Sequence, residues 1–331
     1  MSTRRSFLQM TVVTALAAGA FTLPGYGGVD SGLLALLPPD ATVLAGISVD
    51  QAKMSVYGLY MLGQMQVDDA GFQKFIADTG FDPRRDLSQI LSGTSGDGTA
   101  NKTVILGRGS FNPGKIANAS RADGATLVNY KGVDMVVHSG TDMTGALAFL
   151  DATTAVMGQL DAVKAVIDRR GQTTPGLSPS VVARIVTLAG SNDAWFLSTT
   201  SPATFFANKV ADQKVSPMLE AGMMQSVLAG SGGLKFSANG ATITAQAVAR
   251  SDKDASALAD VIRFFVNIVQ SNRGTSPEAS QFATVLDSIQ VTTQGANMNV
   301  LLNIPEATLE QMFMGKHAMH TGVAGVMGGR R

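Results

Sequence analysis

The segment Leu234–Gln270 constrains the fold more than any other stretch of the chain. Leu234, Phe236 and Ala238 alternate along one run, and Ala241, Ile243, Ala245 and Ala247 along the next, with Asn239-Gly240 between them. Period-two alternation marks half-buried strands, and Asn-Gly tolerates the positive φ of a tight turn, so the stretch predicts an antiparallel hairpin. A helix is predicted from about Ser251. Leu258, Ile262, Phe265 and Val269 share one face, and Val261, Phe264 and Ile268 lie beside them. Only Ser256, Asp260, Arg263, Asn267 and Gln270 form a polar stripe, and a stripe so narrow predicts a helix buried round most of its circumference. Hairpins imply antiparallel pairing, so the fold class expected is α+β, with hairpins packed against helices, rather than a doubly wound parallel sheet.

The N-terminus reads as an address. Arg4 and Arg5 precede an uncharged apolar run, Met10–Leu23, and Ala18-Gly19-Ala20 offers small residues for cleavage. Charged start, apolar middle and small-residue exit make a signal peptide, and the run is short and Ala/Gly-rich for a membrane span. Residues 1–27 are therefore set aside from the fold, and an uncleaved anchor is the alternative. Beyond them the chain divides into a first α+β half over 28–170, a linker over 171–179 containing Pro175 and Gly176, a second α+β half over 180–314, and a Gly-rich, aperiodic tail over 315–331 that is expected to be mobile.

Within the first half, Ala41–Val49 predicts a strand and Asp50–Met65 a helix. Met54, Tyr57, Met61 and Met65 recur there at helical spacing, which reads as core rather than as a ligand groove. Ala70–Thr79 is a helix ended by Gly80, and Asp82-Pro83 caps the next. Thr94–Asn101 reads as a loop, Lys102–Leu106 as a strand, and Asn112-Pro113 as a helix start. Thr126–His138 is a hairpin turning at Lys131-Gly132. A strand pair or one bent strand follows over 146–157, then a helix over Asp161–Arg170 with Val163, Val166 and Ile167 inward. The second half repeats the style. Helices are expected over Ser180–Leu188, Pro202–Lys209, Pro217–Leu228, Pro277–Ile289 and Glu306–Phe313. A strand is expected over Ala194–Thr200, and a last hairpin sets Ile289 and Val291 against Met298, Val300, Leu302 and Ile304. The halves are candidates for a divergent duplication.

Two resemblances follow. Arg4-Arg5-Ser6-Phe7-Leu8 resembles the twin-arginine export motif, with Gln9 where Lys is common. That resemblance implies export after folding, to a bacterial periplasm or beyond. Leu37-Pro38-Pro39-Asp40-Ala41-Thr42, the run Thr79–Leu87, Val156-Met157-Gly158 and the run Ala162–Asp168 resemble exported bacterial proteins classed as domains of unknown function. This likeness implies an exported protein and brings no activity or site residue with it.

Composition removes several chemistries. With no Cys there are no disulfides, thiolate metal sites, thiol nucleophiles or lipidated cysteines. Lys and Arg, 25 together, balance 25 Asp and Glu, so the chain lacks the basic field of a nucleic-acid binder. His138 shares strand parity with Asp134 and Val136, opposite Val133, Met135 and Val137, and is expected to be solvated. His317 and His320, among Met312, Met314 and Met319, are the candidates for a metal, since imidazole and thioether suit copper. The better expectation is no metal and no cofactor. Gly107-Arg108-Gly109 follows a strand, but its glycines are misplaced for a dinucleotide loop and Pro113 interrupts. No Gly-x-Ser-x-Gly or Ser-x-x-Lys pattern occurs. Asp252 and Asp254 sit where carboxylates favour a helix start. The function expected is therefore non-catalytic binding of a cell-envelope ligand or protein, with no nucleic-acid partner and no integral membrane segment once the leader is removed. The alternatives are an exported hydrolase using Asp and Ser with His138, and a structural, self-associating envelope protein.

Overall fold

The computed structural model describes residues 28–63, 70–96, 102–139, 144–201 and 225–311. The leader residues Arg4, Arg5, Phe7 and Leu8, the helices expected within 202–224, Met65, and the tail with His317 and His320 lie outside the described residues. The fold is α+β, with one 12-stranded antiparallel sheet.

In chain order the elements are α1 (Ser31–Leu36), β1 (Val43–Ser48), α2 (Val49–Lys53), α3 (Val56–Gly63), α4 (Ala70–Thr79), α5 (Pro83–Asp86), β2 (Leu87–Ser95) and β3 (Lys102–Gly109). Next come α6 (Pro113–Ala122), the strands β4 (Thr126–Tyr130), β5 (Val133–Ser139), β6 (Thr144–Phe149) and β7 (Thr154–Gln159), and α7 (Leu160–Asp168). The second half holds α8 (Pro179–Ser191), β8 (Ala194–Ser198), β9 (Val227–Ser237), β10 (Gly240–Ala249), α9 (Asp252–Ser271), α10 (Pro277–Val285), β11 (Gln290–Gln294) and β12 (Asn297–Pro305).

Caps fall where the sequence puts them. Asp82 Oδ1 accepts from the Arg84 amide, Asn112 Oδ1 from Lys115, and Ser251 Oγ from Asp254. The Lys131-Gly132 turn has φ of +49° and +79°, the left-handed pair that a two-residue hairpin needs.

Four expectations need correction. The helix predicted over Asp50–Met65 breaks in two. Ser55 Oγ accepts from the amides of Tyr57 and Gly58, capping a new helix, and a Cβ on Gly58 would stand 2.1 Å from the Ala52 carbonyl, so glycine lets α3 fold back on α2. Met54 is thereby turned out to 89% exposure and is not core. The central turn is Ala238-Asn239, since Gly240 already pairs with Ser237; Gly240, at φ +133°, sits where a Cβ would meet the Ile304 carbonyl. The Leu87–Ser95 stretch is a full strand, β2, whose Ser and Thr disguise it and which runs into the expected loop. Finally, α9 buries fully only Ala255 and Ala259, and leaves Phe264 and Ile268 exposed, because it covers the sheet with one face and nothing described covers the other.

The strand order is β11-β12-β10-β9-β8-β1-β2-β3-β7-β6-β5-β4. The two halves meet at the β1·β8 pair, Val43↔Ser198 to Ile47↔Ala194. Outward from that joint, one half runs β1-β2-β3-β7-β6 and the other β8-β9-β10-β12-β11, each with a helix between its third strand and its returning hairpin. The first half adds the edge hairpin β4–β5.

Antiparallel register fixes which side chains share a face. On the back face of the first half stand Leu44, Leu91, Val104, Leu106, Met135, Ala148 and Val156, all at 0% exposure. α1, α7 and α8 cover them with Leu33, Leu34, Val163, Val166 and Ile185. In the second half the apolar cluster is on the front face: Ala241, Leu302 and Ile304 pack with Leu234, Phe236, Val285, Tyr57 and Leu309.

Asp193 stitches the joint. Its amide donates to the Leu234 carbonyl and its carbonyl accepts from Ser48, both at 2.8 Å. Its buried carboxylate accepts from the Phe236 amide at 2.7 Å and from Lys235 Nζ at 2.6 Å. Beside it, Trp195 lies over Gly46, where a Cβ would come within 2.6 Å of the indole.

Candidate functional site

The open middle of the front face is the first candidate. One ladder row crosses it as Phe196, Ala45, Ser92, Ile105, Met157 and Leu147. A second row sets Ile243 and Leu234 beside Ala194, Ile47 and Ile90. Central strands of a 12-stranded sheet are normally covered on both faces, yet Phe196, Ile47, Ile105 and Met157 are 37–49% exposed. Helices flank this floor. Towards the β4 edge, α6 buries Ile116, and a string of rings, Phe75, Phe81, Phe111 and Phe149, has successive centroids 5.2–6.3 Å apart. Towards the other edge, α3 sends Tyr57 into the second-half cluster and leaves Val56 and Leu59 exposed. The result is an apolar floor between helical banks, suited to an apolar ligand or partner surface.

A cavity of about 410 Å³ opens at the strand ends beside this floor, lined by Gln51, Tyr57, Asp193, Lys235, Phe236 and Glu306 among others. Burial, and then Glu306 beside it, push the Tyr57 phenol above its usual pKa, so it stays protonated and serves as a donor rather than a base. Gln51 Oε1 is buried with no hydrogen-bond partner. The Asp193–Lys235 pair is already engaged in holding three strands.

The third concave surface is on the back of the second half, about 420 Å³, lined by Ser231, Thr244, Gln246, Gln290, Thr292 and Asn299 with Leu188 at its wall.

His138 is exposed near the end of β5, paired with Gly145, as its parity predicts, and lines neither of these two cavities. Its neighbour in parity, Val136, is buried under α6 rather than solvated. Arg108 of the Gly107-Arg108-Gly109 run lies within β3. Its Nε and Nη2 meet the Asp30 carboxylate at 2.9 and 2.8 Å, and Nη1 donates to Thr154. That ties the N-cap of α1 to the sheet and leaves no phosphate cradle. Asp252 and Asp254 do open α9, where Asp254 bonds back to Ser251 Oγ. Among the described residues no group of three His, Asp or Glu is placed to hold a metal, and no helix is long and apolar enough to cross a membrane.

Sequence reasoning missed the front-face row. Phe196, Ile105 and Met157 lie 39 to 91 residues apart in the chain, and only the register aligns them. The alternation within each strand is visible, but it does not say which of two apolar faces a helix will cover.

No family model matches the chain, and no curated protein matches it. Among solved structures it is similar to TP0453. Crystal form III gives a TM-score of 0.48 at 10% identity over 85% of this chain and 96% of that one. Form I gives 0.46 at 10%, and form IV 0.46 at 12%, each over 85% of this chain and 94% of the other.

Proposed function

We propose that this chain is an exported, non-catalytic binding protein of the bacterial cell envelope that holds an apolar partner on the open front face of its sheet. The observation that carries the reading is the row Phe196, Ile105 and Met157, with Ile47 beside it, exposed at the centre of a wide sheet. Completing the burial of side chains already more than half covered recovers roughly 0.5–1.5 kcal/mol each, a gain that a bound partner would supply. The leader, with Arg4, Arg5, Phe7 and Leu8, supports export and its removal near residue 27.

The test is titration of the folded protein with an apolar fluorophore, anilinonaphthalene sulfonate, against a Phe196→Ser/Ile105→Ser variant. Saturable enhancement in the parent, weakened about tenfold in the variant at unchanged Tm, is expected. No enhancement, or an equal one in the variant, overturns the proposal.

A second reading, self-association, is favoured by the β4 edge. Leu127 and Val128 are 40% and 42% exposed on opposite faces of a terminal strand whose outer edge pairs with no other strand among the described residues. Light scattering distinguishes it: a dimer that Val128→Lys converts to monomer supports it, and a monomeric parent rejects it.

A further inference from the structure

The back face of the second half is polar, but not in the way a merely wetted face is. In register, Ser231, Gln246, Asn299 and Thr292 form one row across β9, β10, β12 and β11, and Thr244 and Gln290 flank it. None of the residues lining the trough is ionisable. Surfaces that face only water carry mixed Lys, Glu, Asp and Arg. Among the back-facing side chains of these four strands the one charge is Lys235, at the end, engaged with Asp193. The trough is also short of internal partners. Gln246 Nε2 donates to Asn299 Oδ1 at 3.0 Å, which leaves the Gln246 oxygen and the Asn299 amide hydrogens unused. The hydroxyls of Ser231, Thr244 and Thr292 and the Gln290 amide have no protein hydrogen bond.

We propose that this trough is a binding site for a neutral, polyhydroxylated ligand of the oligosaccharide class. Hydroxyl and carboxamide groups both donate and accept, as sugar hydroxyls do, so each can be satisfied whichever way a sugar hydroxyl points. An ionic ligand would enter without a countercharge, and an apolar one would strand the free donors. Strands about 4.8 Å apart spread the row over about 14 Å, the span of a few sugar rings. Leu188 and Leu301 supply apolar surface for ring C–H groups.

The test is calorimetry and saturation-transfer NMR of the full chain with chitotetraose, cellotetraose and maltotetraose, and with trigalacturonate as the acidic control. A neutral tetrasaccharide should bind saturably and without salt dependence. Gln246→Leu/Asn299→Leu should weaken it about tenfold or more, as should the near-isosteric Thr244→Val, which preserves packing; Phe196→Ser, on the other face, should not. Failure of all three neutral sugars to bind, preference for trigalacturonate, or affinity unchanged in Thr244→Val and the double variant overturns the proposal.

Discussion

Across β1–β7 the back face is cored by Leu, Val, Met and Ala fully buried under α1, α7 and α8; across β9–β12 it carries mostly Ser, Thr, Asn and Gln, and the apolar residues point forward under α9, α10 and the helix after β12. Both halves present the same strand order from the shared joint, so the topology does not choose the buried side. The returning helix chooses it. After β7 the chain turns to the back face and lays down Val163, Val166 and Ile167; after β12 it turns forward and lays down Leu309. β1 and β8, which belong to both environments, are apolar on both faces, and their forward side chains Ile47 and Phe196 are left uncovered. A front-face apolar floor and a back-face polar trough are thus two consequences of one change of side.

The sharpest way to break this comparison is to truncate back-facing side chains to Ala in corresponding strands. Leu106 of β3, at 0% exposure, should cost about 2–5 kcal/mol when replaced by Ala. Thr244 of β10, back-facing in the other half, should change stability by no more than about 0.5 kcal/mol in Thr244→Ala. Urea unfolding measures both; comparable losses would mean that the trough is packed rather than open.

A second test concerns the joint itself. Asp193→Ala removes the acceptor of two bonds to β9 and strands Lys235, and should cost about 2–3 kcal/mol. Lys235→Ala, at a half-exposed side chain, should cost about 1 kcal/mol or less. If the two costs are equal, the ion pair rather than the backbone stitch holds the halves together. A third test uses the only Trp. In Gly46→Ala the new methyl would sit 2.6 Å from the Trp195 ring, so the indole must leave its buried place. A loss of about 1–3 kcal/mol is expected together with red-shifted emission. An unshifted spectrum would mean that β1 and β8 separate instead.

Much of this architecture was legible. The hairpins at Lys131-Gly132 and before β12, the Asp82, Asn112 and Ser251 caps, and the inward face of α7 follow from local pattern, because turn geometry and capping depend on residues a few positions apart. What local pattern could not supply was sidedness. The apolar circumference of α9 reads as burial, yet Phe264 and Ile268 face outward, because burial depends on what lies beyond the helix. The apolar residues of β1 and β8 mark two strands but do not say which face stays uncovered. β2 hid behind its serines and threonines, although it is the strand that carries the first half outward from the joint. Asp193, the stitch, has no local signature, since its partners lie 42 and 43 residues along the chain.

The smallest effect expected concerns how each half fastens its first helix. α1 is tied to the sheet by charge: burial raises the Asp30 pKa, but the Arg108 guanidinium and the Leu33 amide outweigh it and hold the carboxyl below its ordinary value. α8 begins on Ser178 Oγ instead, which accepts from Val181 and does not titrate near neutral pH. A carboxyl with a lowered folded pKa contributes stability that is present above its unfolded pKa and is lost as pH falls through the folded value. Stability should therefore decline below about pH 4, where unfolded aspartate titrates. Arg108→Gln removes the dominant lowering group, so it should cost about 1 kcal/mol at neutral pH and flatten that decline. Ser178→Ala should cost a similar amount at every pH. Parallel stability curves for Arg108→Gln and the parent between pH 3 and 7 would mean that α1, like α8, is held by packing and its cap alone, and that the charge at Asp30 adds nothing to the first half's covered face.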